Sequence, residues 1–138
     1  MASTRHSYAE RINPPADPLS GLAPLLRVRP QLQEVCRFAE AWRAPHEAGE
    51  LGWAQFHIVT RGACRVELEG ESLRLAEGDV LLLPQGDAHV VRSLHERGEP
   101  VPIRIEPGEP LKLKTNTGGA GDTELICGQL RFEAAPAA

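Results

Sequence analysis

Two histidines, His57 and His89, sit where a strand-rich chain could use them for chemistry. His57 belongs to Trp53-Ala54-Gln55-Phe56-His57-Ile58-Val59-Thr60, a run of strand character. Alternation places its ring on the same face as Gln55, Val59 and Trp53. His89 opens the strand that follows the turn Pro84-Gln85-Gly86. If the two imidazoles converge, three kinds of chemistry are open to them. They can hydrogen-bond a ligand or water, hold a Zn-like cation with a third ligand, or form a satisfied structural pair. Cys64 alternates with Val66 and Leu68 and could line the same interior, although a buried free Cys ordinarily packs as a small apolar residue. Cys127 is a candidate third ligand. Ile126, Leu130 and Phe132 read as the inward set of its strand, however, which turns Cys127 outward unless Gly128 forms a bulge. His46 falls in an expected loop and could reach the pocket mouth, although a loop histidine is ordinarily solvated, and Trp42 could meet a ligand only from the same loop.

Other catalytic patterns are missing. No Ser-His-Asp order with supporting motifs is present, and no carboxylate pair falls on an inward strand face. Gly118-Gly119-Ala120-Gly121 is not followed by the Lys-Ser/Thr and helix that a phosphate loop requires. Glu67, Glu69, Glu71 and Glu77 occupy alternating or turn positions and read as solvated.

The elements that must position these residues are short strands. Cys64, Val66 and Leu68 alternate with Arg65, Glu67 and Glu69, a half-buried strand of period two. Further strands are expected over 32–39, 53–60, 72–75, 80–83, 90–94, 101–105 and 123–133, with 42–50 and 95–100 as loops. Pro102 keeps the 101–105 strand at an edge. The Gly-, Pro- and Thr-rich segment 106–122 reads as a mobile loop. Asp17-Pro18 starts a short helix, Asp as N-cap and Pro at the first helical position, with Leu19, Leu22, Leu25 and Leu26 on one face. Residues 1–16 read as a flexible arm or a partner-covering strand, 17–133 as one domain and 134–138 as a frayed tail. Eight or nine short strands in a 138-residue chain with 13 Gly and 12 Pro imply an all-β jelly roll or small barrel.

Composition narrows the setting. The net charge is -4, with no basic patch for nucleic acid, and there is no apolar run of membrane-spanning length. Met1-Ala-Ser-Thr-Arg-His lacks a signal-peptide core. Three scattered cysteines, Cys36, Cys64 and Cys127, make no CxxC pair, and a reduced cytoplasm is the expected location.

The stretch Gly78-Asp79-Val80-Leu81-Leu82-Leu83-Pro84-Gln85-Gly86-Asp87-Ala88-His89 resembles the second signature motif of the cupin superfamily position for position, with Ser93 where an Asn often follows. Asp17-Pro18-Leu19-Ser20, Phe56 to Gly62 and Gly118 to Phe132 extend the likeness. Together they look like the N-terminal cupin-type ligand-binding domain of AraC-family transcription regulators. The resemblance implies a cupin jelly-roll barrel, a double-stranded β-helix that binds a small organic effector inside and forms a homodimer. The Phe56 and Ile58 side of its strand is a suggested outer apolar face. DNA would be reached only through a helix-turn-helix region absent from this chain, so the chain reads as a sensor fragment or as a stand-alone cupin.

The same resemblance orients the site. Its motifs turn Gln55 and His89 inward, and alternation then carries His57 inward with Gln55. Cupin metal sites take two His and a Glu from the first motif, and here Gln55 stands in the Glu position and no His falls near Ala48 to Leu51. The expected ligand pocket is therefore Trp53, Gln55, His57, Cys64 and His89, with no catalytic residue. His57 and His89 are candidate ligands for a divalent, Zn-like metal, and no cofactor is required. The alternative is a stand-alone metal-binding cupin enzyme, of dioxygenase or isomerase type, with a reduced His site. For the sensor, the parts expected to move are the arm and the 106–122 loop.

Overall fold

The computed structural model of the chain describes residues 10–12, 28–94 and 98–132. Eleven strands are found among them: β1 (Glu10–Ile12), β2 (Val28–Phe38), β3 (Arg43–His46), β4 (Trp53–Arg61), β5 (Ala63–Leu68), β6 (Glu71–Ala76), β7 (Val80–Leu83), β8 (His89–Arg92), β9 (Arg104–Glu106), β10 (Lys112–Thr115) and β11 (Thr123–Phe132). They form a seven-stranded sheet, β1-β7-β4-β11-β2-β10-β9, and a four-stranded sheet, β3-β8-β5-β6. All pairings are antiparallel except β10 with β2. The architecture is the all-β jelly roll that the alternation predicts.

Period-two patterning decides which side chains face inward. In β5, Cys64 and Val66 are buried while Arg65 and Glu67 are not, and in β7 the buried pair is Leu81 and Leu83. The inner faces of the two sheets meet in one core, where Phe38, Val59, Leu81 and Leu125 of the larger sheet pack with Cys64, Val66, Leu75 and Val91 of the smaller. Trp42, between β2 and β3, stacks on Phe38 at a centroid distance of 4.2 Å and fills core volume.

Two glycines shape the strands around the histidines. Gly86 has φ 63°, a left-handed conformation that reverses the chain between β7 and β8. Its N–H donates to Leu83 O at 2.9 Å and its carbonyl accepts from Gly49 N at 2.7 Å. This ties the approach to β8 to the segment after β3. Gly128 lies where the β11–β2 register shifts, between Cys127 and Gly128. A Cβ there would stand 2.7 Å from Phe56 Cζ and collide with the Gln31 carbonyl.

Several expectations are corrected by this topology. The 42–50 loop contains β3, which pairs with β8, and the 106–122 loop contains β10, paired in parallel with β2. The edge strand expected at 101–105 is β9, shifted toward the C-terminus and placed after Pro102. Ile126 is not inward: Thr123, Leu125 and Cys127 are buried in β11, Leu125 opposite Val59 and Cys127 opposite His57 of β4, and the residue left over at the β11–β2 register shift, Gln33, belongs to β2. Phe56 is buried and Ile58 half-buried in the single chain, so they are not an open apolar face. Three residues of the expected arm form β1 against β7. The helix expected from Asp17 and the tail from 134 lie outside the described residues.

Gly128→Val should lower stability by about 1–3 kcal/mol in urea unfolding, the usual range for overpacking. Unchanged stability would show that the Phe56 ring and the β2 backbone give way without cost.

Candidate functional site

His57 lies near the middle of β4, directly opposite Cys127 of β11 on one side and Leu81 of β7 on the other. His46 ends β3 and His89 begins β8, and these two are cross-strand partners in the smaller sheet. The three rings meet because the two sheets stack face to face. His57 Nε2 is 2.7 Å from His89 Nε2. The His46 ring stacks on His89 at 4.7 Å with planes 2° apart, and meets His57 edge-on at 5.0 Å. One ligand nitrogen from each ring lies within 4.8 Å of the others.

The outer nitrogens are engaged as well. His89 Nδ1 lies 2.7 Å from Asp87 O, and His57 Nδ1 lies 3.0 Å from Cys127 Sγ, itself 3.6 Å from Cys36 Sγ. Burial is the main force on the rings' titration. It lowers His57 well below the ordinary imidazole value, helped by the nearby His89, His46 and Lys114. It takes His46 down to about 3, with His89 and Lys114 adding to the effect. His89 is also lowered by burial, with its bond to the Asp87 carbonyl opposing. Lys114 Nζ is 3.7 Å from Glu34 Oε1, which offsets part of that cationic charge. The rings are therefore neutral imidazoles with lone pairs to offer. The Cys127 thiol is pushed up by its hydrogen bond with Cys36 and by burial.

Neutral imidazole suits a borderline divalent cation such as Zn²⁺. With Zn–N bonds of about 2.0–2.1 Å, ligand atoms can lie at most about 4 Å apart, so a small inward adjustment brings the 4.8 Å spread into range. The residues present fit such an ion. His46 is only half-buried and is the ring nearest solvent. A cavity of about 450 Å³ on the outer side of the smaller sheet, lined by Arg43, Pro45, Glu67 and Val90, reaches His46, Glu47 and His89 at the strand ends.

The other residues expected in the pocket lie elsewhere. Gln55 donates its amide to Glu47 O at 3.2 Å and Gly86 O at 3.5 Å, bracing the loops that carry His46 and His89. Trp53 is half-buried with the Arg131 guanidinium 5.8 Å over its ring. Cys64 is fully buried opposite Leu75, its thiol pushed up to about 12 chiefly by burial. His46 and Cys127 join the group against expectation. Pro45 gives the segment around His46 the look of a loop, and the apolar Ile126 and Leu130 compete with Cys127 for the inward face of β11 in the sequence.

Comparison with known proteins follows this geometry. A family model described as Cupin matches residues 17–138. An uncharacterized HTH-type transcriptional regulator of Haemophilus influenzae is 26% identical over 117 residues, covering 85% of this chain and 39% of the relative. The RCS-specific HTH-type transcriptional activator RclR of Escherichia coli is 39% identical over 74 residues, 53% of this chain and 26% of that protein. A crystal structure of a cupin domain from an XRE family transcriptional regulator of Enterobacter cloacae covers 79% of this chain and 98% of that domain, with TM-score 0.45 and 10% identity. The chain thus spans well under half the length of the curated relatives.

Neutral buried rings make stability depend on pH. Unfolded imidazoles take up protons below about pH 6.5 and the folded ones resist, so stability is full above that value and declines below it. For His46 the decline continues toward about 3. Each ring contributes at most about 1.4 kcal/mol per pH unit. In urea unfolding with a chelator present, wild type should lose more stability between about pH 7.5 and about pH 5 than His46→Gln. Equal losses would show that His46 titrates freely in the fold.

Proposed function

The chain belongs to the cupin family, and from that premise we propose that it is the sensing domain of an AraC-type transcription regulator. Its relatives support the regulatory setting, since both are HTH-type regulators. The observation that carries the reading is the convergence of three neutral imidazoles, one of them half-buried, between the two sheets. A small effector engages the rings through hydrogen bonds or through a divalent cation that His46, His57 and His89 hold. The third imidazole favours the cation. When bound, such an ion supplies a Lewis-acidic centre to which an anionic or lone-pair-bearing effector can attach.

The route from site to regulator runs through the larger sheet. His57 pairs with Leu81 of β7, and Leu81 pairs with Arg11 of β1. An effector that prefers one placement of His57 thereby biases the docking of the arm, provided its affinity differs between the two placements. Homodimerisation and DNA contact through a helix-turn-helix region complete the proposal.

A metal-dependent cupin enzyme is the second reading, and the third histidine speaks for it. Against it, no carboxylate joins the three rings among the described residues, and the three rings are then the sole general acid or base at the site.

Elemental analysis and thermal shift with Zn²⁺ test the site. Wild type should bind about one equivalent and gain stability, as folded-state metal binding requires. His57→Ala and His89→Ala should lose both effects, and His46→Ala should weaken them. No metal in any of them would leave hydrogen bonding to an organic effector, for which a thermal-shift search is the next test. Deleting residues 1–16 should alter effector affinity. An unchanged affinity would remove the arm from the route.

A further inference from the structure

Asp87 O can only accept a hydrogen bond, so His89 Nδ1, 2.7 Å away, carries the hydrogen. A neutral His89 then presents a bare lone pair at Nε2, and His57 Nε2 lies 2.7 Å from it. Two bare nitrogens at that distance repel, so His57 Nε2 must donate. His57 Nδ1 is then bare in turn and accepts from the Cys127 thiol at 3.0 Å. Cys36 Sγ, at 3.6 Å, donates to Cys127. One backbone carbonyl thus orients every hydrogen in the array, from Cys36 to Cys127 to His57 to His89.

A divalent cation needs lone pairs on the nitrogens that face it. His57 offers its Nε2 lone pair only when the ring hydrogen sits on Nδ1. The Nδ1–H then needs an acceptor, and the buried Cys127 sulfur is the atom within reach. We propose that Cys127, backed by Cys36, is the positioning residue that lets His57 exchange tautomers, Nε2–H without a cation and Nδ1–H when the three imidazoles hold one. The chain gains and loses no proton overall. The ring hydrogen is exchanged from one nitrogen to the other through water, and the Cys127 thiol hydrogen turns from His57 to Cys36, whose own S–H turns away. The Cys36–Cys127 contact permits either direction. A thiol suits the position because it both donates and accepts.

This inference rests on the cation reading of the site, and one set of measurements separates the two. Ring-nitrogen NMR on the 138-residue chain, metal-free and with Zn²⁺, is combined with Zn²⁺ affinity from chelator competition for wild type, Cys127→Ser and Cys127→Ala. His57 should be the Nε2–H tautomer without metal and Nδ1–H with it. Cys127→Ala should bind Zn²⁺ about 10–100-fold more weakly, as loss of a partner behind a metal-bound His does, while Cys127→Ser retains the tautomer exchange and most of the affinity. An Nδ1–H tautomer in both states would overturn the exchange, and wild type alone reads it if the alanine variant fails to fold. Equal affinity in a folded Cys127→Ala would overturn the role of Cys127 while leaving the cation site standing. No Zn²⁺ uptake by wild type, with the metal-free tautomers as expected, would end the cation reading and the exchange with it.

Discussion

Two imidazoles facing each other at 2.7 Å between stacked sheets share one hydrogen, and burial keeps a second one out. A buried polar group without a partner costs about 1–3 kcal/mol, so the surrounding strands must present each ring nitrogen with a matching group. They do so from both sheets. The Asp87 carbonyl serves His89 from just before β8, and the Cys127 thiol serves His57 from β11. The ties that hold this arrangement are local: the Gly49–Gly86 backbone bond and the Gln55 amide brace the loops next to His46 and His89.

The core and the site share one interior but differ in chemistry. Phe38, Trp42, Leu75, Leu81 and Leu83 fill the space between the sheets with apolar volume. On the His57 row, the inward positions pass from Leu81 to His57, Cys127 and Glu34 across β7, β4, β11 and β2. Polarity thus grows across one row of the larger sheet, and Lys114 stands near its end, paired with Glu34. The rings are kept neutral mainly by the apolar surroundings, and that neutrality is what leaves their lone pairs available.

The site also differs in kind from a hollow ligand barrel. Two of its rings, His46 and His89, sit at strand ends, with His46 the most accessible, and the neighbouring cavity lies on the outer side of the smaller sheet. An input of small size, engaging His46 first, suits this placement. Its effect would pass through β4 and β7 to β1 by backbone pairing.

Much of this protein was already legible in the order of its residues. The alternation in 63–68 and the apolar run 80–83 specify half-buried strands, because side-chain period follows from backbone geometry alone. The turn could be read from Pro84 and Gly86, and the shared face of Gln55, His57 and Val59 from alternation, whereas the inward direction of Gln55 and His89 came from the resemblance to the cupin motifs. The identity of the third histidine could not. His46 reaches the others only because β3 pairs with β8 and the second sheet folds over β4, a non-local register that Pro45 concealed. Cys127 points inward because β11 pairs with β4 so that Cys127 lies opposite His57 and Leu125 opposite Val59, and a register displaced by one residue would exchange inside for outside. Local periodicity therefore determined most of the strands, the resemblance to the cupin motifs turned His57 and His89 inward, and long-range pairing decided which other groups complete the site.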